Sequence, residues 1–332
     1  MRRRTVLAIA IGVMALLPMT AGRCLAADEE SPSPEQKVHV FVSILPQACF
    51  VERVGGERVQ VDVMVGPGQS PETYELMPKQ MVRLAAARAF FRIGVPFEES
   101  LLKKIAATMP NLHIVDTRKG ITLRVMEHSH HHHAEHGEDA EDDHDTHGNA
   151  GESEKPEEQK GTDPHIWLSP RLVKIQARTI CDELVRLDPA HESEYRDNLK
   201  RFESDLDDVD RKVAEALSPL KGSEFFVFHP AYGYFGDAYG LRQVPVEVEG
   251  KEPSARQLVE LIEKARKAGV KVIFVQPQFS TTAAETVARS IGGAVVPLDP
   301  LARDYLANLT VMAEKIGSAL KPSDNTNHDR SR

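Results

Sequence analysis

The sequence predicts an α/β protein of two lobes, each a mainly parallel four-stranded sheet with flanking helices, joined by one long linker helix. Three observations lead there. Short runs rich in Val, Ile and Phe alternate with helical stretches, the grammar of βαβ units. Four such runs fall on either side of a central block. The block itself, from His191 to Leu217, contains neither Gly nor Pro and carries a single apolar stripe. At 332 residues the chain exceeds one average domain, which excludes the small folds that depend on disulfide staples.

From the N-terminus, residues 1–27 have the three-part layout of a secretory signal peptide. Arg2, Arg3 and Arg4 precede an apolar stretch from Val6 to Leu17, and Leu25-Ala26-Ala27 forms a small-residue exit. The stretch is shorter than the ~20 apolar residues of a membrane span. Lipidation at Cys24 is the alternative, although Arg23 before it fits a lipid-attachment signal poorly. The N-terminal lobe is expected over 37–187, with strands at Val38 to Val42, Val59 to Val65, Ala89 to Ile93 and Leu112 to Asp116.

The linker helix is expected over 188–219. Asp188-Pro189 supplies a cap and a first-turn proline, and Ser218-Pro219 ends the run. Tyr195, Leu199, Phe202, Leu206, Val209, Val213 and Leu217 recur at steps of three and four, so they share one face of a helix about 45 Å long. The stripe is too short for a stable coiled coil, and a monomer is expected. The C-terminal lobe over 223–322 repeats the strand and helix grammar. Its strands are Glu224 to Phe228, Val244 to Val248, Lys271 to Val275 and Ala294 to Leu298; its helices are Ser254 to Ala268 and Arg303 to Leu320. Ser254 suits an N-cap and Gly269 the residue after the C-cap. Residues 323–332 read as a flexible tail.

Charge is unevenly spread. The formal net charge is −9, but the segment 127–160 holds twelve acidic and two basic residues, so the rest of the chain is close to neutral. With no basic patch or arm, nucleic acid is excluded as a partner. The same segment is almost free of apolar side chains and is expected to be a disordered loop. It contains His128, His130, His131, His132, His133, His136, His144 and His147, eight of the fourteen histidines. Imidazoles beside carboxylates attract zinc, nickel or copper, which makes the segment an auxiliary metal-binding loop or else a solvated acidic spacer. In the mature chain only Cys49 and Cys181 remain. They form one disulfide or are two small buried side chains, and neither reading gives a cysteine zinc site.

Among the isolated histidines, His39, His113 and His191 suit packing or surface roles. His165 and His229 stand at junctions, one leading into a helix capped by Ser169-Pro170, the other following the strand that ends at Phe228. Ligands of open α/β sheets bind at the carboxyl ends of strands. Position alone does not make either histidine a ligand.

The motifs Pro71-Glu72-Thr73-Tyr74-Glu75, Asp163-Pro164-His165-Ile166-Trp167, His229-Pro230-Ala231-Tyr232-Gly233-Tyr234-Phe235, Gln278-Phe279 and Leu298-Asp299-Pro300-Leu301 resemble those of the zinc/manganese-binding proteins of ABC metal importers. The resemblance spans Val38 to Leu320. It implies two lobes joined by a rigid helix, one metal in the cleft between them, a periplasmic location and delivery to a membrane permease. Carried over by position, the metal ligands are Glu72, His165, His229 and Asp299. Glu72 stands where members of the family usually have His, so the set is harder than three imidazoles, and Mn²⁺ or Fe²⁺ competes with Zn²⁺ as the cargo. A second departure is Gln276, where relatives often carry Glu.

The function this implies is capture of one divalent transition-metal ion, Zn²⁺ first, and its delivery to an importer. Four protein ligands leave no obvious position for a reacting water, so an enzyme is not expected. A zinc hydrolase would need an open site and a base, a role open only to a Glu72 that does not coordinate; no His-Glu-x-x-His or Gly-x-Ser-x-Gly run is present. A metal buffer or adhesin working through the His/acid loop is the remaining alternative.

Overall fold

The computed structural model of the protein describes residues 37–126, 161–247 and 254–321. The expected signal peptide at 1–27, the His/acid loop at 127–160 with its eight histidines, and the tail at 323–332 lie outside them.

The first half of the described chain runs β1 (Val38–Val42), α1 (Leu45–Gly55), β2 (Val59–Val63), α2 (Pro78–Ala85), β3 (Ala89–Arg92), α3 (Glu98–Thr108), β4 (His113–Asp116) and α4 (Pro170–Leu187). After the long α5 (Glu192–Leu217) come β5 (Glu224–Val227), α6 (Gly233–Tyr239), β6 (Arg242–Pro245), α7 (Ala255–Lys267), β7 (Val272–Val275), α8 (Thr282–Ile291), β8 (Ala294–Pro297) and α9 (Tyr305–Leu320). The two sheets have the orders β2-β1-β3-β4 and β6-β5-β7-β8, and every pairing is parallel. One topology is thus used twice. In each sheet the strand order reverses beside the first strand, which puts a crevice between β1 and β3 and another between β5 and β7, at the carboxyl ends.

All eight expected strands form: β1 spans the expected residues, the other seven have at least one end moved, and Val248 of the sixth lies outside the described residues. The largest shift is at β6, which begins at Arg242 instead of Val244. The linker helix also starts later than expected: Pro189–His191 is a 3-10 turn, and α5 begins at Glu192. Asp188 is committed to the His191 ring (2.7 Å) and the Tyr195 hydroxyl (2.6 Å), so it caps through side chains and not through backbone amides. The apolar stripe of α5 is buried as expected except for Leu199, which is half-buried. Asn198 joins the buried face instead, because its Nδ2 donates to the Val54 carbonyl (2.9 Å) at the end of α1. The α7 helix carries a full capping box between Ser254 and Gln257, and Gly269 takes φ +65° just past its end, as Ser254 and Gly269 predict.

Helix α5 packs against α1 and α4 of the first half and against α9 of the second, within one apolar core that runs from Val38 to Ile316. Phe50 of α1 ties the three regions together: its ring lies 6.0 Å from Phe202 of α5 and meets Tyr305 of α9 edge-on at 4.9 Å. Such aromatic pairs contribute about 0.5–1.5 kcal/mol beyond their burial. A shared, close-packed core resists wide opening of the lobes. Cys49 and Cys181 are free thiols, Cys181 buried and Cys49 partly so, which favours two unpaired side chains over one disulfide; burial pushes both thiols up from their usual range.

Candidate metal centre

His165 sits in a turn that the sequence Asp163-Pro164-His165 builds for itself. The Asp163 carboxylate accepts from the His165 backbone N–H (3.0 Å) and holds ring Nδ1 at 2.7 Å, with only 1% of Asp163 exposed. A 3-10 turn at Ile166–Leu168 and then α4 follow; Ser169 takes the N-cap position without the side-chain bond expected of it. The aspartate stem is crowded from the other lobe. A Cβ on Gly233 would fall on the Arg124 guanidinium and lie 2.7 Å from Asp163 Oδ2, so a side chain there would have to displace both.

His229 follows β5 at the carboxyl edge of its sheet. Its backbone is clamped by Gln276, whose Oε1 accepts from His229 N–H (3.2 Å) and whose Nε2 donates to the His229 carbonyl (2.7 Å). Its Nδ1 lies 2.7 Å from the buried Glu247, and the Phe279 ring stacks on the imidazole at 5.1 Å. Glu72 comes from the loop between β2 and α2. Its Oε2 and backbone N–H are both engaged by the Ser70 hydroxyl, which leaves Oε1 turned toward the histidines. Gln80 fixes that loop by donating to the Met64 carbonyl (2.8 Å).

Three of the four expected ligands therefore converge. His165 Nε2 and His229 Nε2 are 3.4 Å apart, and Glu72 Oε1 lies 3.5 Å from His229 Nε2 and 3.8 Å from His165 Nε2. A point equidistant from these atoms in their plane lies about 2.1 Å from each, within the ~2.0–2.2 Å of zinc–nitrogen and zinc–oxygen bonds. Because carboxylates only accept, Asp163 and Glu247 place the imidazole protons on Nδ1 and turn both Nε2 lone pairs inward. Two lone pairs at such a distance need a proton or a cation between them. Burial alone would lower both imidazoles, but hydrogen bonds to Asp163 and Glu72 raise His165, and those to Glu247 and Glu72 raise His229 to about 9. Burial would likewise raise Glu72, yet the two imidazoles hold it well below the usual carboxylate range. The pocket is built for positive charge.

Asp299, the fourth expected ligand, is not among the converging donors. It follows β8, and its Oδ1 accepts from Gln278 Nε2 (2.9 Å) and from the Leu301 N–H of its own turn (2.9 Å). Of the other histidines, His39 pairs with Asp62 and His191 with Asp188, outside the triad. Sequence reasoning missed Glu247 and left Asp163 without a role. Glu247 had one available signal: it follows β6, the parallel neighbour of β5, just as His229 follows β5.

A carboxylate behind a ligating imidazole fixes its tautomer and raises its basicity, and loss of such a partner costs about 10–100-fold in metal affinity. Asp163→Asn and Glu247→Gln are each expected to weaken zinc by that factor while leaving one ion bound per chain. Isothermal titration with a competing chelator reads both quantities, and unchanged affinity in both variants would refute the paired-carboxylate role.

The fold and the converging donors define a two-lobed solute-binding protein whose solute is a metal ion. Residues 40–319 match the family described as zinc-uptake complex component A, periplasmic, and the chain belongs to that family. Among its curated relatives is the high-affinity zinc uptake system protein ZnuA of Brucella abortus (strain 2308), 34% identical over 305 residues that cover 86% of this chain and 88% of the relative. The protein of that name from Bacillus subtilis (strain 168) is 30% identical over 273 residues, 81% of this chain and 80% of the relative. A crystal structure of ZnuA is 38% identical and superposes with a TM-score of 0.74 over 86% of this chain and 99% of that one. A zinc-bound internal deletion mutant of ZnuA, also 38% identical, gives 0.73 over 86% and 100%.

Proposed function

We propose that the protein captures one zinc ion outside the cytoplasmic membrane, through Glu72, His165 and His229 with Asp299 in reserve, and delivers it to the permease of an ABC importer. The observation that carries this is the triangle of two Nε2 atoms and one carboxylate oxygen, with a buried acid behind each imidazole. Relatives named for high-affinity zinc uptake supply the cargo. No helix among the described residues is long and apolar enough to cross a membrane, in keeping with a partner that supplies the membrane path. Each ligand is tied to a structural partner, His165 to Asp163, His229 to Glu247 and Glu72 to Ser70, an arrangement that suits capture rather than turnover. The continuous core around α5 favours release by small tilts of the lobes and movement of the Glu72 loop.

The decisive test is competitive titration of metal-stripped protein with zinc and manganese, with residues 127–160 intact and deleted. One tight zinc ion is expected to survive the deletion. Its loss would assign binding to the His/acid segment, and a preference for manganese would show that Glu72 has retuned the site.

Binding is also expected to release protons. Both imidazoles are raised above their ordinary value, so at neutral pH zinc displaces about one to two protons. Affinity therefore falls as pH drops below about 9, the value for His229, by about tenfold per unit for each proton displaced. Calorimetry in buffers of different ionisation enthalpy counts them, and a count near zero at pH 7 would show that the imidazoles are already neutral.

A further inference from the structure

The backbone around Asp299 is held at three successive carbonyls. Tyr232 Oη donates to Leu298 O (2.6 Å), Asn308 Nδ2 to Asp299 O (2.8 Å) and Trp167 Nε1 to Pro300 O (2.8 Å). These donors come from three different parts of the chain, and the Trp167 ring lies 5.0 Å from that of His165. On the other side, the segment Gln276-Pro277-Gln278-Phe279 grips His229 with its first and last residues and Asp299 with Gln278. Asp299 therefore stands on a fixed main chain, linked to His229 through the segment that contacts both. Its carboxylate moves only by side-chain rotation.

Both hydrogen bonds that restrain the carboxylate, from Gln278 Nε2 and from the Leu301 N–H, fall on Oδ1. The orientation of the Gln278 amide follows from this, since a carboxylate accepts only from the NH₂ end. Gln278 Oε1 is then shut off from solvent, and no donor among the described residues reaches it. A buried acceptor without a donor is costly, so its place beside the site requires a reason. A cation-bound water would supply the missing donor. Asp299 and Gln278 also line a cavity of about 520 Å³ between the halves, walled opposite by Ile44, Leu45 and Val65, with room for water beside the Asp299 carboxylate.

We infer that Gln278 is a specificity-determining residue: it withholds Asp299 from the ion, so that the ion held by Glu72, His165 and His229 is completed by water. This rests on the proposed triad. Four-coordination with two nitrogens, one carboxylate and one water satisfies zinc. Manganese prefers six oxygen-rich ligands and gains most from a second direct carboxylate. Restraining Asp299 thus costs manganese more than zinc.

The test measures zinc and manganese affinities of the full chain, by chelator competition for zinc and by the electron paramagnetic resonance of free manganese. In Gln278→Leu, manganese affinity is expected to rise about tenfold while zinc changes by less than about threefold. In the double variant Gln278→Leu/Asp299→Asn the gain disappears, which a merely structural role for Gln278 would not produce. Gln278→Met, which keeps the length but lacks the donor, serves as the second variant if Gln278→Leu does not fold. A zinc-to-manganese ratio unchanged within twofold, or a gain that persists in the double variant, overturns the inference. If the unsubstituted protein binds no tight ion, or binds one that His229→Ala leaves untouched, the triad itself fails and the inference with it.

Discussion

Replacing His229 by alanine is expected to lower zinc affinity by about a thousandfold. Structural zinc sites contribute about 10–16 kcal/mol in total at neutral pH, so one coordination position of four, here three side chains and a water, is worth about 3–4 kcal/mol. At 1.4 kcal/mol per decade, this is two to three orders of magnitude. The upper end applies here because the variant also strands Glu247, a buried carboxylate whose hydrogen bond runs to the His229 ring (2.7 Å). His165→Ala is expected to behave alike, since it strands Asp163. Glu72→Ala should cost less, about 10–100-fold: Glu72 sits half-buried on a loop, and its loss leaves a position that water can fill. Chelator-competition titration of the three variants tests the order. A loss smaller than tenfold in both histidine variants would remove the triad as the tight site.

That order could be read only partly from the sequence. The strands at Val38 and Ala89 were legible because β-branched and aromatic residues cluster between turn formers, and a parallel buried strand needs little else. His165 and His229 were legible as junction residues and, through the motifs around them, as residues that meet at one place. Glu247 was not, because its link to His229 depends on β5 and β6 lying side by side, a register that no local spacing encodes. The reverse happened at Asp299. Its position was legible, but the direction of its carboxylate is set by the Leu301 amide and by Gln278, 21 residues earlier in the chain. The first turn of the linker helix failed for a third reason. Asp188-Pro189 is a good capping pair on local grounds, yet Asp188 has two side-chain partners that compete for it, His191 and Tyr195.

The largest stability effect is expected far from the metal, at Glu98. This residue opens α3 and is 1% exposed, and its carboxylate collects four donors: Ser43 Oγ (2.6 Å) and Ile93 N–H (2.8 Å) on Oε1, Gly94 N–H (2.8 Å) and Arg92 Nε (3.2 Å) on Oε2. Ser43 directly follows β1, and Ile93 and Gly94 directly follow β3. One side chain therefore ties the two strands that flank the crevice of the first sheet, and the neighbours of Ser43, Ile44 and Leu45, form a wall of the cavity beside Asp299. Glu98→Ala leaves two amides and a hydroxyl without their acceptor and takes from the largely buried Arg92 guanidinium one of its carboxylates, Asp116 being the other, and removing one partner of a buried charged pair costs about 3–5 kcal/mol. Glu98→Gln keeps an oxygen for Ser43 and Ile93 but turns an NH₂ toward Gly94 and Arg92, which are donors themselves. It should lie between, at about 1–3 kcal/mol. Urea midpoints at constant slope measure both. Zinc should raise the stability of both variants by the same increment as in the unsubstituted protein, since binding adds RT ln(1 + [L]/Kd) to any folded chain whose site is intact. A cost below 1 kcal/mol for Glu98→Ala would show that water replaces the carboxylate and that the two strand ends are held by packing alone.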